Sequence, residues 1–442
     1  MTHPYRWLIA AVLLGLAVQP VLLPHPVWVQ VVIGGAAGAQ GYALAALGGV
    51  LTRRIRVIPA PKPAVTTALG TAVVLLATLT AHAGQLAVAA QTQMPGPTLL
   101  TDVLAIAGAV LVGTAVIGLG IGIRAWLRLL GQTPRRIAVL VLAPALVLTG
   151  SGPAVAAPNV SSTIGARGAE FLRLRPDAAT IAAVTGRPAV APVRVYIGAN
   201  AAASPQRQAA LAVTELERAG GFRRAAVLID VPTGSGWVNP AAGSALEYLY
   251  GGNLATVVVQ YAAAPSWLAY VRGGEGVQVS TRAVTDAIRA RIDRIPAGQR
   301  PRLLAYGESL GAWGGLRAYD TTATGAGMAR RTDGTLWAGI PGGEPTRPQH
   351  GMHVLLHSDD PVPAWSLPLM LHRSSAWPAP WLPVVSFWQA TGDVIGATLV
   401  PAGYGHRYGP ELVDAWRPLI STADVPSAAP LDRLNAVRQA IG

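Results

Sequence analysis

The first 157 residues are dominated by five uncharged apolar runs, at 7–23, 27–51, 66–90, 103–123 and 137–157. Most approach or exceed the roughly 20 residues that cross about 30 Å of hydrocarbon as a helix. A spanning helix satisfies its own backbone hydrogen bonds, so these runs are expected to be helical despite their many glycines and β-branched residues. Five such runs in succession leave no polar faces for a soluble bundle to turn outward, which argues against buried core helices. Pro20 and Pro24 bound the first run, and Pro144 interrupts the fifth.

Beyond residue 158, Asp, Glu and Arg return at ordinary spacing. The sequence therefore divides into a multi-spanning helical domain over 1–157 and a globular domain over 158–442, long enough to build its own core. At 51% hydrophobic and 12% charged, the whole chain is too apolar for an ordinary soluble protein.

The net charge of +13 suggests a nucleic-acid partner until its location is considered. Arg6, Arg53, Arg54, Arg56, Lys62, Arg124, Arg128, Arg135 and Arg136 precede residue 158, against Asp102 alone. Nine minus one puts +8 of the +13 there. All nine precede the first run or lie between the second and third, or the fourth and fifth. The connections 24–26 and 91–102 carry no Lys or Arg. That alternation follows the positive-inside rule and predicts a cytoplasmic N-terminus, with everything after residue 157 outside. The bilayer is thus the expected partner and nucleic acid is not. Arg135-Arg136, the run after them and Ala154-Val155-Ala156 also resemble an internal signal peptide with a cleavage site. Either way the second half is exported. No cysteine is present, so disulfides and thiolate metal sites are excluded.

In the second half, β-rich runs alternate with helical ones, the pattern of a mostly parallel sheet covered by helices. Strands are predicted at 192–197, 225–231, 255–261, 302–306, 335–340, 352–357 and 383–388. Helices are predicted at 205–220, 240–251 and 277–295. Directly after the fourth strand comes Gly307-Glu308-Ser309-Leu310-Gly311, a G-x-S-x-G between strand and helix. This is the nucleophile elbow of α/β-hydrolase folds. The turn is so sharp that side chains at the glycines would collide with its neighbours, and it holds the serine hydroxyl above the sheet.

A serine hydroxyl needs a base, and the base needs an orienting carboxylate. In this fold they follow in the order Ser, Asp or Glu, His. The last histidine, His406, sits in Gly403-Tyr404-Gly405-His406-Arg407-Tyr408-Gly409 and is the candidate base. For the acid, Asp360 ranks first, Asp393 second and Asp359 third. An oxyanion hole needs two backbone N–H groups. Leu310 is expected to supply one, and Thr233 or Gly234, in Asp230-Val-Pro-Thr-Gly-Ser-Gly-Trp237, the other. His350, His353 and His357 cannot share one strand face, and no H-E-x-x-H is present, so neither metal nor cofactor is expected. Trp365, Trp377, Trp381 and Trp388 suit an acyl pocket, an anchor in the bilayer surface or ordinary core packing.

Pro-Thr-Gly-Ser-Gly-Trp-Val at 232–238, Leu-Glu-Tyr-Leu at 246–249, Gln260-Tyr261, Pro-Ser-Trp-Leu at 265–268 and Gly-Glu-Ser-Leu-Gly together resemble one family. So do Asp-Asp-Pro-Val, Phe-Trp-Gln at 387–389 and Gly-Tyr-Gly-His-Arg-Tyr. The family is the actinobacterial α/β-hydrolases with a multi-spanning N-terminal domain. The resemblance implies the architecture and a serine-hydrolase site, but no particular substrate. The stretch 339–350 departs from the family pattern by looking shortened.

The expected function is hydrolysis of an ester, of lipid or cell-envelope origin because a tethered site meets such acyl groups at high local concentration. Transfer of the acyl group to an envelope alcohol uses the same acyl-enzyme. A non-catalytic scaffold or transport component on a hydrolase fold is a third reading. Oligomeric state is not legible.

Overall fold

The computed structural model describes residues 5–51, 62–129, 163–263, 274–319, 324–343, 349–420 and 433–442. It divides into two compact units. One joins residues 1–154 to 364–401, and the other joins 155–363 to 402–442. The second half is therefore not one continuous body from residue 158, because 364–401 belongs with the N-terminal helices.

The helical unit contains α1 (Tyr5–Ala17), α2 (Val27–Leu51), α3 (Pro63–Gln91) and α4 (Leu99–Leu129). Among the described residues three helices, Val27–Gly49, Pro63–Gln91 and Leu99–Leu127, are long and apolar enough to cross a membrane. Leu76 and Leu111 are among the leucines and valines they leave exposed. The first expected run does not reach that length. Its helix has 13 residues, about 20 Å at 1.5 Å each, and the chain leaves it before Pro20, which disfavours a helical residue ahead of it. The fifth expected run lies outside the described residues.

Polar side chains gather inside this unit at one end of the bundle. Nδ1 of His82 on α3 lies 2.8 Å from Oδ2 of Asp102 in the first turn of α4, and the Gln30 amide donates to Asp102 Oδ1 over 3.1 Å. The same amide donates to the His25 carbonyl, and the His25 N–H donates to Gln85 Oε1. His25 Nε2 lies 2.9 Å from Asp393 Oδ1, with both side chains fully buried. Asp393 also accepts from the N–H groups of Leu22 and Leu23. Buried polar groups need such partners, and here they fasten 364–401 into its own unit.

The run at 383–388, expected as a strand, is not one. Val385–Gly396 is a helix. Its Trp388 packs with Ala17, Val29, Ile33 and Ala37, and the indole donates to Gln40 Oε1 over 2.7 Å. Trp377, 1% exposed, packs with Leu369 and Ala390, and Trp365 and Trp381 border that cluster. These tryptophans are packing residues of the helical unit.

The second unit is built on a six-stranded parallel sheet in the order β1-β3-β2-β4-β5-β6. The strands are β1 (Val193–Ile197), β2 (Ala226–Val231), β3 (Leu254–Val259), β4 (Arg302–Glu308), β5 (Gly334–Ala338) and β6 (Met352–Leu355). Apolar residues on both sides of β2 and β4 meet two cores, so these strands read as continuous apolar runs. One core holds Val227, Ile229, Leu303 and Ala305 with α5 (Pro205–Arg218) and α7 (Glu275–Asp293). The other holds Leu228, Leu304 and Tyr306 with α6 (Pro240–Leu249), Leu412–Trp416 and the C-terminal helix. This layering brings the carboxyl ends of β2, β4, β5 and β6 along one edge, where α/β sheets carry their sites.

Candidate active site

Ser309 is the single residue between β4 and α8 (Leu310–Arg317), with φ 55° and ψ −122°. A side-chain-bearing residue holds such a conformation only when its surroundings impose it. Two bonds do so. The Ser309 N–H donates to Ala338 O at the end of β5, and the Trp313 N–H donates to Ser309 O. A Cβ on Gly311 would lie 2.2 Å from the Val231 carbonyl oxygen, so only glycine lets α8 start this close to β2.

His406 sits in the loop after the excursion 364–401, with its side chain 13% exposed. Its Nδ1 lies 2.8 Å from Asp360 Oδ2, while Nε2 is buried and has no hydrogen-bond partner among the described residues. Gly339 is next along the chain from Ala338, the acceptor of the Ser309 N–H, and lies directly against the imidazole. A Cβ there would be 2.4 Å from Cε1, and its φ of 55° also favours glycine. Ser309 at the end of β4 and the His406 ring against the end of β5 thus lie at neighbouring strands. No hydrogen bond joins them, and such contacts commonly tighten only around substrate.

The loop is clamped at several points. His357 Nδ1 lies 2.9 Å from Gly405 O and Nε2 3.0 Å from Glu411 Oε1, and the ring faces Tyr408 at 4.2 Å. The Tyr408 hydroxyl donates to Asp360 Oδ2 over 2.7 Å. Burial, and then the Asp360 charge, push that hydroxyl well above its ordinary range, so it remains a donor. Burial works against a charged His406 ring, but Asp360 and then Glu308 outweigh it and raise its pKa above the usual histidine value.

The three acids named from sequence occupy different places. Asp360 meets His406. Asp359 accepts the Gly405 N–H over 2.9 Å and so holds the histidine loop. Asp393 is engaged with His25 inside the helical unit, on a helix rather than at a strand end. The two oxyanion candidates also separate. The Thr233 N–H is already given to Trp237 O at 2.9 Å, because 233–237 closes as a tight turn. Gly234 lies within that turn, and Leu310 opens α8. Sequence reasoning passed over Glu308, Asn239 and Tyr408, although Glu308 lies inside the elbow motif and Tyr408 two positions after His406.

Residues 193–352 and 347–434 match the model of a family described as Alpha/beta-hydrolase family. Residues 18–166 match that of the Alpha/beta-hydrolase family N-terminus. A solved structure of Trichoderma reesei cutinase in complex with a C11Y4 phosphonate inhibitor is similar at 12% identity, over 44% of this chain and 86% of the cutinase chain. Its TM-score is 0.26, too low to add to the fold described above. No curated protein matches.

Proposed function

The chain belongs to the α/β-hydrolase family, and from that premise we propose that it is a membrane-embedded serine hydrolase acting on carboxylic esters. One observation carries the reading. Ser309 holds a strained elbow geometry at the end of β4, while a His406–Asp360 pair lies against the next strand end.

In this reading Ser309 Oγ attacks the ester carbonyl carbon and gives its proton to His406 Nε2. Asp360 holds the ring by Nδ1 and stabilises the imidazolium. The N–H groups of Leu310 and Gly234 receive the negative charge that develops on the carbonyl oxygen. The tetrahedral intermediate collapses, its C–O bond breaks, and the leaving alcohol takes the proton from His406. Water then repeats the sequence on the acyl-serine, releasing the acid and restoring Ser309.

Three apolar helices long enough to span a bilayer support a membrane setting, and hence lipid or envelope esters as the substrate class. The arginine asymmetry of the short loops supports a catalytic half outside the cytoplasm.

The test is covalent labelling by a fluorophosphonate, whose tetrahedral phosphorus the same oxyanion donors hold. The full-length protein should be labelled at Ser309, and Ser309→Ala should abolish labelling and esterase activity while leaving the fold intact. A folded wild-type protein that resists the probe and hydrolyses neither short nor long acyl esters overturns the proposal.

A further inference from the structure

Glu308 is the residue immediately before Ser309 and is almost fully buried. Its Oε2 accepts two hydrogen bonds, from Asn239 Nδ2 and from the Tyr306 hydroxyl, each 2.8 Å. Burial pushes its carboxyl up, while His406 and these two donors draw it back toward ionisation. A buried carboxylate held in this way is expensive to keep unless its charge or its bonds are used.

Asn239 is the link that gives the arrangement a purpose. Its Nδ2 group has two hydrogens. One goes to Glu308, and the other to the Tyr408 carbonyl oxygen over 2.8 Å. Its Oδ1 accepts the Ala241 N–H and caps α6. One amide therefore joins the strand end carrying Ser309, the loop carrying His406 and the start of the helix after the 233–237 turn. Tyr408 continues the tie, because its own hydroxyl reaches Asp360.

We propose that Glu308 is a positioning residue for the proposed Ser309–His406 pair. Through Asn239 it ties the nucleophile's strand to the base's loop, and it adds a second carboxylate to the electrostatic surroundings of the imidazole. Asp360 then acts on the ring through Nδ1, and Glu308 acts through space as the ring becomes positive. Asp360 and Tyr408 also face the ring, and His357 and Asp359 hold the backbone beside it. Next to Glu308 stand Tyr306 and Asp230, the latter with both oxygens buried and without a hydrogen-bond partner among the described residues. Both are pushed well up by burial, with Glu308 the next contributor.

This inference rests on the serine-hydrolase reading, and one experiment separates the two. The rate of fluorophosphonate labelling of the full-length protein is measured against pH for wild type, Glu308→Gln and Asn239→Ser. Gln keeps an acceptor oxygen for Asn239 and Tyr306 but removes the charge. His406 then loses one of the anions that raise it, so the acid limb should move to lower pH and the plateau rate should fall about tenfold. Ser still caps α6 but cannot bridge to Glu308 and Tyr408. It should leave the acid limb near its wild-type position and lower the plateau rate roughly 10- to 100-fold.

Wild-type protein that does not label overturns the hydrolase reading itself. Wild-type labelling with an unmoved acid limb in Glu308→Gln, or an undiminished plateau in Asn239→Ser, overturns only the present inference. If one variant fails to fold, the other decides alone by the same criterion. A purely structural Glu308 would change thermal stability and leave the acid limb where it was.

Discussion

Tyr408 and His406 share a single acceptor: the tyrosine hydroxyl and the imidazole Nδ1 both reach Oδ2 of Asp360, at 2.7 and 2.8 Å. The carboxylate is thus pinned by a group that does not titrate near neutrality, and its orientation does not depend on the ring it serves. Tyr408→Phe should keep labelling of Ser309 but slow it, roughly tenfold, by letting Asp360 turn. Fluorophosphonate kinetics at neutral pH check this, and an unchanged rate would show that His406 and the Val362 N–H alone suffice to hold the carboxylate.

Asp360→Asn is expected to cost about 10⁴-fold in turnover, since an amide favours the wrong imidazole tautomer. Asp393→Asn should leave the reaction largely intact, because that side chain is engaged with His25. Ester hydrolysis by the two variants decides, and the reverse ranking would transfer the acid's role to Asp393.

The pH dependence follows from the raised His406. A general base must be neutral, so activity should be complete at high pH and be lost as the pH falls through the ring's pKa. That loss should be centred above the ordinary histidine value of about 6.5. A profile centred below it would show that burial dominates over the two carboxylates.

Gly339→Ala tests the packing of the base. The added methyl meets the imidazole at 2.4 Å, and the ring must move away from its place beside β5. Labelling should fall at least about tenfold while the sheet stays folded, at a stability cost of about 1–3 kcal/mol. Wild-type labelling in this variant would show that the ring is not held where the structure has it.

Asp393→Ala removes the side-chain partner of the buried His25 and the acceptor for Leu22 and Leu23. Breaking one side of such a pair costs about 3–5 kcal/mol. The denaturation midpoint of detergent-solubilised protein should drop accordingly, and Asp393→Asn should recover part of the loss. An unchanged midpoint in Asp393→Ala would mean that the apolar packing of Trp377 and Trp388 suffices.

Much of the second unit was legible because its signals are local. Six of seven expected strands appear within a few residues of their expected bounds, since apolar runs bounded by turn residues leave few alternatives. The elbow could be read because its glycines are imposed by sterics within five residues. The error at 383–388 has a tertiary cause. Val384-Val385-Ser386-Phe387-Trp388 has strand-like composition, yet its apolar side chains pack as a helix against residues more than 300 positions away. Asn239 and Tyr408 were illegible for the same reason, as their role depends on contacts across 69 and 169 positions.

The excursion 364–401 begins four residues after Asp360 and ends five before His406. The proposed acid and base are therefore neighbours in space but are separated along the chain by a piece of the other unit. Neither unit can be excised by a single cut. A chain trimmed to begin at 158 would carry Trp365, Trp377, Trp381, Phe387 and Trp388 in an orphaned apolar loop, strung between the two residues whose alignment matters most.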